Sequence, residues 1–149
     1  MIQRKQSVFL FLAFIATFAC LCLPIAELQP MSMGGSTKVY NLFIANSGGA
    51  DYSVCGMFGT LVISTILSLA TIFLYHNRKL QANFCVCNSF LLIAWYVVLG
   101  ASLRSVATSM SFHICFAAIL PAIALILVFM ARIGVINDEK LVRAADRIR

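Results

Sequence analysis

The chain has 149 residues, of which 62% are hydrophobic and 11% are charged, with a mean hydropathy of +0.97 and a formal net charge of +6. A soluble domain usually carries about 25% charged residues, so this composition excludes an ordinary soluble protein and is typical of an integral membrane protein. The positive charge does not indicate a nucleic-acid partner, because the basic residues lie at the ends of apolar runs and form no basic face with interleaved aromatic residues.

Four apolar runs contain no Asp, Glu, Lys or Arg, and each is 19 or 20 residues long: 8–26, 57–75, 84–103 and 113–131. At about 1.5 Å per residue, a helix of this length spans the hydrocarbon core, which is about 30 Å thick. Inside lipid the backbone must satisfy its own hydrogen bonds, so each run should be helical. The sequence therefore predicts an all-α integral membrane protein, with residues 1–149 forming a single antiparallel four-helix transmembrane bundle.

The first run has a competing interpretation. MIQRK followed by an apolar stretch also resembles a secretory signal peptide. The stretch is longer than a typical signal-peptide core, and Pro24-Ile25-Ala26 is a poor cleavage site. A retained helix is therefore the favoured interpretation.

The segment between the first two runs contains the extended-looking part of the sequence. Residues 38–44 are rich in β-branched and aromatic side chains, residues 46–51 carry a turn signal, and residues 52–54 could return as a second strand. We expect a small hairpin over the outer ends of the helices. An irregular loop is the alternative, because isolated hairpins are marginally stable.

Small and hydroxyl-bearing residues recur every four positions in the second run, at Gly56, Thr60, Ser64 and Ser68. Small residues let helix backbones approach, and hydroxyl groups can bond across the contact. The pattern predicts a helix-packing face, and a polar pore lining is the alternative. In the fourth run, Pro121 lies near the middle and should kink the helix.

Cysteine and histidine provide the candidates for metal or redox chemistry. The C-x-C pairs at 20/22 and 85/87 should straddle their helices, because residues two apart point about 200° apart. Cys55 and Cys115 both fall toward the outer face, where a disulfide between them is a hypothesis. His76 and His113 lie at opposite membrane faces and cannot share one metal within a copy. No cofactor or metal is predicted.

Enzymatic activity is not expected, since the sequence has no P-loop, G-x-S-x-G or H-E-x-x-H motif. The spans also have too few polar residues to assemble an acid, a base and a nucleophile.

Lysine and arginine predict the orientation of the chain in the membrane. Nine of the 11 lie in the N-terminus, the 76–83 loop and the C-terminal segment, whereas Lys38 and Arg104 are the two on the other side. Because positive residues stay on the cytoplasmic side, both termini should be cytoplasmic. The 27–56 and 104–112 loops should face outward.

The C-terminal tail, 132–149, ends in DEKLVRAADRIR and is predicted to be an amphipathic helix at the cytoplasmic surface, continuing or bending from the fourth run. Asn137 could cap it, and acids near its start suit the positive helix end. Basic residues alone would serve as topology anchors, but acids contribute little to that rule. The interleaved charges instead suggest a surface that docks on a protein, with these candidate contacts: Glu139, Lys140, Arg143, Asp146 and Arg147.

The start MIQR-x-Q-x-V-F, the N-R-K-L-Q segment after the second run and the D-E-K-L-V-R-x-x-D-R-I-R ending together resemble an uncharacterised four-span membrane family of the Bacteroidota, a domain of unknown function. The resemblance covers the whole chain. It implies a cell inner-membrane location and a four-helix fold. It implies no activity, substrate, cofactor or catalytic residue.

Three hypotheses for function follow. The leading one is a non-enzymatic accessory or docking component of a membrane protein assembly, surrounded by lipid and open to homo-oligomer formation. The second is a small transporter or lipid-handling protein, in which Asn88, Ser89 and the Ser64/Ser68 stripe face a cavity in an oligomer. The third is a membrane thiol oxidoreductase that uses the outer cysteines.

Overall fold

The computed structural model describes residues 3–30, 37–46, 49–74, 77–106 and 110–146. This part of the chain forms four α-helices and a small β-sheet. The helices are α1 (Gln3–Cys22), α2 (Cys55–Phe73), α3 (Arg78–Val106) and α4 (Leu120–Asp146), with a 3₁₀ turn at Phe116–Ile119 before α4. The strands are β1 (Ala26–Pro30), β2 (Thr37–Val39), β3 (Ile44–Asn46), β4 (Gly49–Asp51) and β5 (Met110–Ile114).

Three helical stretches in the described ranges are long and apolar enough to cross a membrane: Cys55–Phe73, Arg78–Arg104 and Phe116–Val142. A shorter apolar stretch, Gln6–Cys22, lies in α1. Large apolar side chains on these helices face outward, and Phe90 is 67% exposed. Such a surface would be unfavourable in water and is favourable in lipid. The chain is therefore a membrane protein.

The helices contact one another in the order α1, α2, α3, α4 and back to α1. α1 and α4 run antiparallel, because the start of α1 meets the end of α4 through Gln6 and Asp138. Small buried residues such as Ala13 on α1 and Ala131 on α4 let the two backbones approach. The core lies between the helices and continues under the sheet through Leu28.

The five strands form one antiparallel sheet in the order β4-β3-β2-β1-β5. β1 follows α1 and β5 precedes α4, so the sheet joins the connection between α1 and α2 to the connection between α3 and α4. The longest pairing runs from Ala26 opposite Ile114 to Pro30 opposite Met110. The sheet thus closes one end of the helices.

The hairpin expected from the sequence is present in a different form. Residues 38–44 do not make a continuous strand, because the backbone turns between β2 and β3, where the Tyr40 N–H donates to the Phe43 carbonyl at 2.9 Å. The strand that returns along β3 is β4, and residues 52–54 turn into α2. Residues 47–48, part of the predicted turn signal, lie outside the described residues.

Two further sequence predictions concerning the fourth helix are wrong. Pro121 is the second residue of α4, where proline is well tolerated, so it does not kink the middle of a helix. The start of the fourth apolar run forms β5 and the 3₁₀ turn instead, which moves the helix start toward Pro121. Asn137 does not cap a separate tail helix, because α4 continues through it to Asp146.

Candidate functional site

Buried polar side chains join the helices at three levels along their length. The first level lies at the sheet end and is centred on Asn41, in the turn between β2 and β3. Asn41 is fully buried, and its Nδ2 donates to the Cys20 carbonyl at 2.6 Å. That carbonyl belongs to the last turn of α1, where backbone acceptors lack helical partners. Asn41 therefore satisfies the end of α1 and fixes the sheet to it.

Trp95 completes this first level from α3. Its indole Nε1 donates to the Asn41 Oδ1 at 2.9 Å, and the side chain is fully buried. The neighbouring Tyr96 packs edge-on against it, with ring centroids 4.9 Å apart, and donates its hydroxyl to the Ala118 carbonyl at 2.7 Å. The sheet, α1, α3 and the segment before α4 are thus tied together at one end.

The second level lies between α2 and α3 and is centred on Asn88. Its Oδ1 accepts a hydrogen bond from the Ser64 hydroxyl at 2.6 Å, and its Nδ2 donates to the Ser68 hydroxyl at 2.7 Å. All three side chains are buried. Of the small-residue stripe, Ser64 and Ser68 therefore face α3. Gly56 is exposed and Thr60 half-buried, with its hydroxyl bonded to its own helix at the Met57 carbonyl.

Asn88 uses both ends of its amide within the protein, which bears on the transporter hypothesis. The neighbouring Ser89 donates its hydroxyl back to the Cys85 carbonyl at 2.9 Å. The polar atoms that were expected to face a cavity therefore have partners inside their own helices or across the α2–α3 contact.

The third level lies at the opposite end, between α1 and α4. Gln6 donates through Nε2 to the Asp138 Oδ2 at 2.5 Å, and both side chains are buried, at 6% exposure. Gly134 lies one helical turn before Asp138, and a Cβ there would come within 2.9 Å of the Gln6 Cγ. Glycine at this position therefore makes room for the glutamine that holds the carboxyl group.

Gln81 links α3 to α2 at the same end of the molecule as the Gln6–Asp138 contact. Its Nε2 donates to the Thr71 carbonyl at 3.3 Å, and both residues are buried. A hydrogen bond from the following helix thus supports the last turns of α2.

The last two turns of α4, residues 139–146, extend beyond the Gln6–Asp138 contact, and we call them the α4 extension. Leu141 and Val142 are 60% and 46% exposed, and Lys140 is exposed beside the half-buried Glu139. Of the other predicted docking residues, Arg147 lies outside the described residues, as do the side chains of Arg143 and Asp146.

All six cysteines are free thiols in the structure. In each C-x-C pair one residue is buried and the other exposed, with Cys20 and Cys85 inside. Cys55 is exposed and Cys115 half-buried. A Cys55–Cys115 bridge stays a prediction, and mass mapping of the native protein without reductant tests it, because free thiols at both positions would contradict it.

No three His, Cys, Asp or Glu side chains in the described part of the chain come together in a group that could hold an ion. His113 is exposed in β5, opposite Glu27, and His76 lies outside the described residues.

A family model for a domain of unknown function, DUF4293, matches residues 2–148 of this chain. The match includes all four helices and the sheet. The chain belongs to the DUF4293 family. No curated protein matches the sequence.

Sequence reasoning missed the first and third of these polar levels. Gln6 and Asp138 could have been found as polar residues in the buried registers of their helices, alongside Leu10 and Ala13 on α1 and Val135 on α4. The pairing of Asn41 with Trp95 left no comparable signal, since 54 residues separate them and Asn41 looked like part of a strand.

Proposed function

We propose that this DUF4293 protein is a non-enzymatic, four-span protein of the bacterial inner membrane with both termini in the cytoplasm. We further propose that it acts as an accessory subunit and docks on a partner protein through the α4 extension. Membership of the family supports a membrane protein of unknown role, and the accessory role is an inference from the shape and charge of α4.

A single observation carries the proposal: α4 is one uninterrupted helix, held near its end by the buried Gln6–Asp138 hydrogen bond. Its 27 residues extend about 40 Å at roughly 1.5 Å per residue, about 10 Å more than the hydrocarbon core. The surplus length corresponds to the α4 extension. A helix end that is held in place loses little entropy on binding, which favours a docking element.

The surface of the α4 extension suits a protein partner. Exposed Leu141 and Val142 adjoin the charged Lys140 and Glu139, so apolar contact and charge recognition are available side by side. A protein interface needs such an apolar centre with a polar rim. A topology anchor alone needs only the positive charges.

The α1–α4 contact also favours a retained first helix. Leu10, Ala13 and Thr17 of α1 are buried, and α1 contacts both α2 and α4. Removing this segment would expose the facing side of α4. We therefore count α1 as the fourth membrane span, although its apolar stretch is shorter than the other three.

Isolation of the protein from its own membranes in a mild detergent tests the proposal. We expect a stoichiometric protein partner, cross-linked through Lys140 and identified by mass spectrometry. Reversing two charges, with Arg143→Glu in the α4 extension and Arg147→Glu in the sequence just after it, should release the partner. Arg78→Glu with Lys79→Glu is the matched control, since it changes the charge equally at the start of α3.

A second pair of variants removes the apolar contact without changing charge. Leu141→Ser should weaken capture of the partner, whereas Leu80→Ser should not, because Leu80 is similarly exposed, at 47%, but lies on α3. If the charge-reversed and Leu141→Ser proteins both retain every partner, the α4 extension is not the docking element. If only homo-oligomers are recovered, the accessory role is wrong.

A further inference from the structure

A groove of about 470 Å³ lies between α3 and α4, on the side of these helices that faces away from the core. Its walls are large apolar side chains, including Phe90 and Ile93 from α3 and Ile126 and Phe129 from α4, each between 48% and 67% exposed. Among its described lining residues, Ser89 and Arg132 are polar. Ser89 already donates to the Cys85 carbonyl, so its hydroxyl hydrogen is committed to its own helix.

Arg132 is the charged residue among the described lining residues, and no acidic side chain among them faces its guanidinium group. Its Nε is buried and has no hydrogen-bond partner among the described residues. No Asp or Glu belongs to the described lining of the groove. Asp138 lies six residues further along α4, about 240° around the helix, and bonds to α1 on another side. A buried N–H donor without an acceptor is unfavourable, and that cost falls when an anion binds.

We propose that this groove binds one anionic glycerophospholipid, with an acyl chain between α3 and α4 and the phosphate on Arg132. The guanidinium group is planar and donates two parallel hydrogen bonds to phosphate oxygens. The Nε–H, which lacks a partner, becomes one of the donors when the side chain turns toward the phosphate.

The dimensions of the groove fit a lipid of one leaflet. Its lining residues run from 86 to 93 on α3 and from 125 to 132 on α4, a length of about 10 Å at roughly 1.5 Å per residue. One leaflet of the hydrocarbon core is about 15 Å deep. Arg132 lies at the end of the groove nearer the α4 extension, about 9 Å before Asp138 at roughly 1.5 Å per residue. Its long side chain can extend from there toward the membrane interface, which makes this the headgroup end.

A second copy of the chain is a poorer occupant than a lipid. Two copies related by a two-fold axis would present the same groove to each other, and each would bring its own Arg132. The described lining residues offer no acid to neutralise either guanidinium group. A lipid supplies the apolar chain and the negative charge in one molecule.

The test uses the full chain in nanodiscs made from equal amounts of phosphatidylglycerol and phosphatidylcholine with identical acyl chains. Lipids that stay bound when the protein is released are counted by native mass spectrometry. We expect the wild-type protein to retain one phosphatidylglycerol in about fivefold preference to phosphatidylcholine, the size of effect expected for one basic residue at an anionic membrane surface. Equal retention of the two lipids would overturn the proposal.

Substitutions then locate the site. Arg132→Gln should abolish the preference and Arg132→Lys should keep part of it, whereas Arg104→Gln, an equal charge change at the far end of α3, should leave it unchanged. Ser89→Phe adds a bulky side chain to the groove while Arg132 itself stays unchanged, and it should also prevent retention. Undiminished preference in both Arg132→Gln and Ser89→Phe would refute the site. Displacement of the lipid by inorganic phosphate would also refute it, because the site would then bind a free anion rather than a lipid.

Discussion

Amide side chains take part in the hydrogen bonds at each of the three polar levels of the described structure. Asn41, Asn88 and Gln6 are each buried, and each bonds to a group at least 20 residues away in the chain. Between membrane helices no hydrophobic force selects one neighbour over another, so packing and hydrogen bonds specify the contacts. These few side chains therefore define which helix faces lie together.

Replacing Asn88 tests whether its hydrogen bonds to α2 stabilise the contact between α2 and α3. Asn88→Leu removes both bonds to α2, and we expect a loss of about 1 kcal/mol in the free energy of unfolding, since each interhelical bond contributes about 0.6 kcal/mol. Titration with a denaturing detergent, followed by the fluorescence of the single tryptophan, measures the loss. Ser89→Ala is the control, because the Ser89 hydroxyl donates to the Cys85 carbonyl of its own helix α3. Equal losses in the two variants would argue against an interhelical role for Asn88.

A second prediction at the residue scale concerns the close contact between Gly134 and Gln6. Alanine in a helix is more favourable than glycine by about 1 kcal/mol, but the new Cβ would lie 2.9 Å from the Gln6 Cγ. Gly134→Ala should therefore give no gain in the wild-type protein and should stabilise the Gln6→Ala variant by about 1 kcal/mol.

A double-mutant cycle on unfolding free energies checks this coupling. Gly100→Ala is the matched control, since a Cβ there meets no atom within 4 Å. It should be equally stabilising in both backgrounds. Additive effects of Gly134→Ala and Gln6→Ala would mean that the two residues do not interact.

At the scale of elements, the helices and the sheet were predictable to different degrees. The three long helices coincide with apolar runs, because a backbone in lipid must bond within its own segment. The strands are three to five residues long. β2, β3 and β4 pair with near neighbours in the sequence, whereas β1 pairs with β5, from which α2 and α3 separate it. Residues 110–114 become a strand because β1 lies alongside them, so nothing local marks β5.

The pairing of β1 with β5 can be tested by engineered cross-links. Glu27 lies opposite His113 in the register, and directly opposed residues in antiparallel strands have Cα atoms about 4.5–5.5 Å apart, within disulfide range. The double variant Glu27→Cys with His113→Cys should therefore form a disulfide under mild oxidation, located by mass mapping. Glu27→Cys with Ser111→Cys is offset by two residues and should cross-link poorly. Preferential linking of the offset pair would mean that the register is different.

At the scale of the whole molecule, the distribution of positive charge predicts how the chain lies in the membrane. Lys38 is exposed in β2 at the sheet end, and Lys79 and Lys140 are exposed at the other end. A membrane-impermeant amine reagent applied to spheroplasts should modify Lys38 and leave Lys79 and Lys140 unmodified until the cells are broken. Modification of Lys140 in intact spheroplasts would reverse the proposed orientation.

The sequence by itself determined the class of protein and the position of the long helices. Both follow from local composition: apolar runs of about 20 residues match the thickness of the bilayer whatever the rest of the chain does. The polar residues Asn88, Ser64 and Ser68 were recognisable in the same way, since polar groups are rare inside such runs and must find partners.

Only the tertiary structure decided which of these groups meet. The pairing of Gln6 with Asp138 across 132 positions, the contact of Asn41 with Trp95 and the groove beside Arg132 each depend on how separate helices rotate and pack. Local sequence carries little information about rotation, because lipid-facing and partner-facing sides of a membrane helix are both apolar. Contacts between neighbouring helices supply that information, and they exist only in the folded chain.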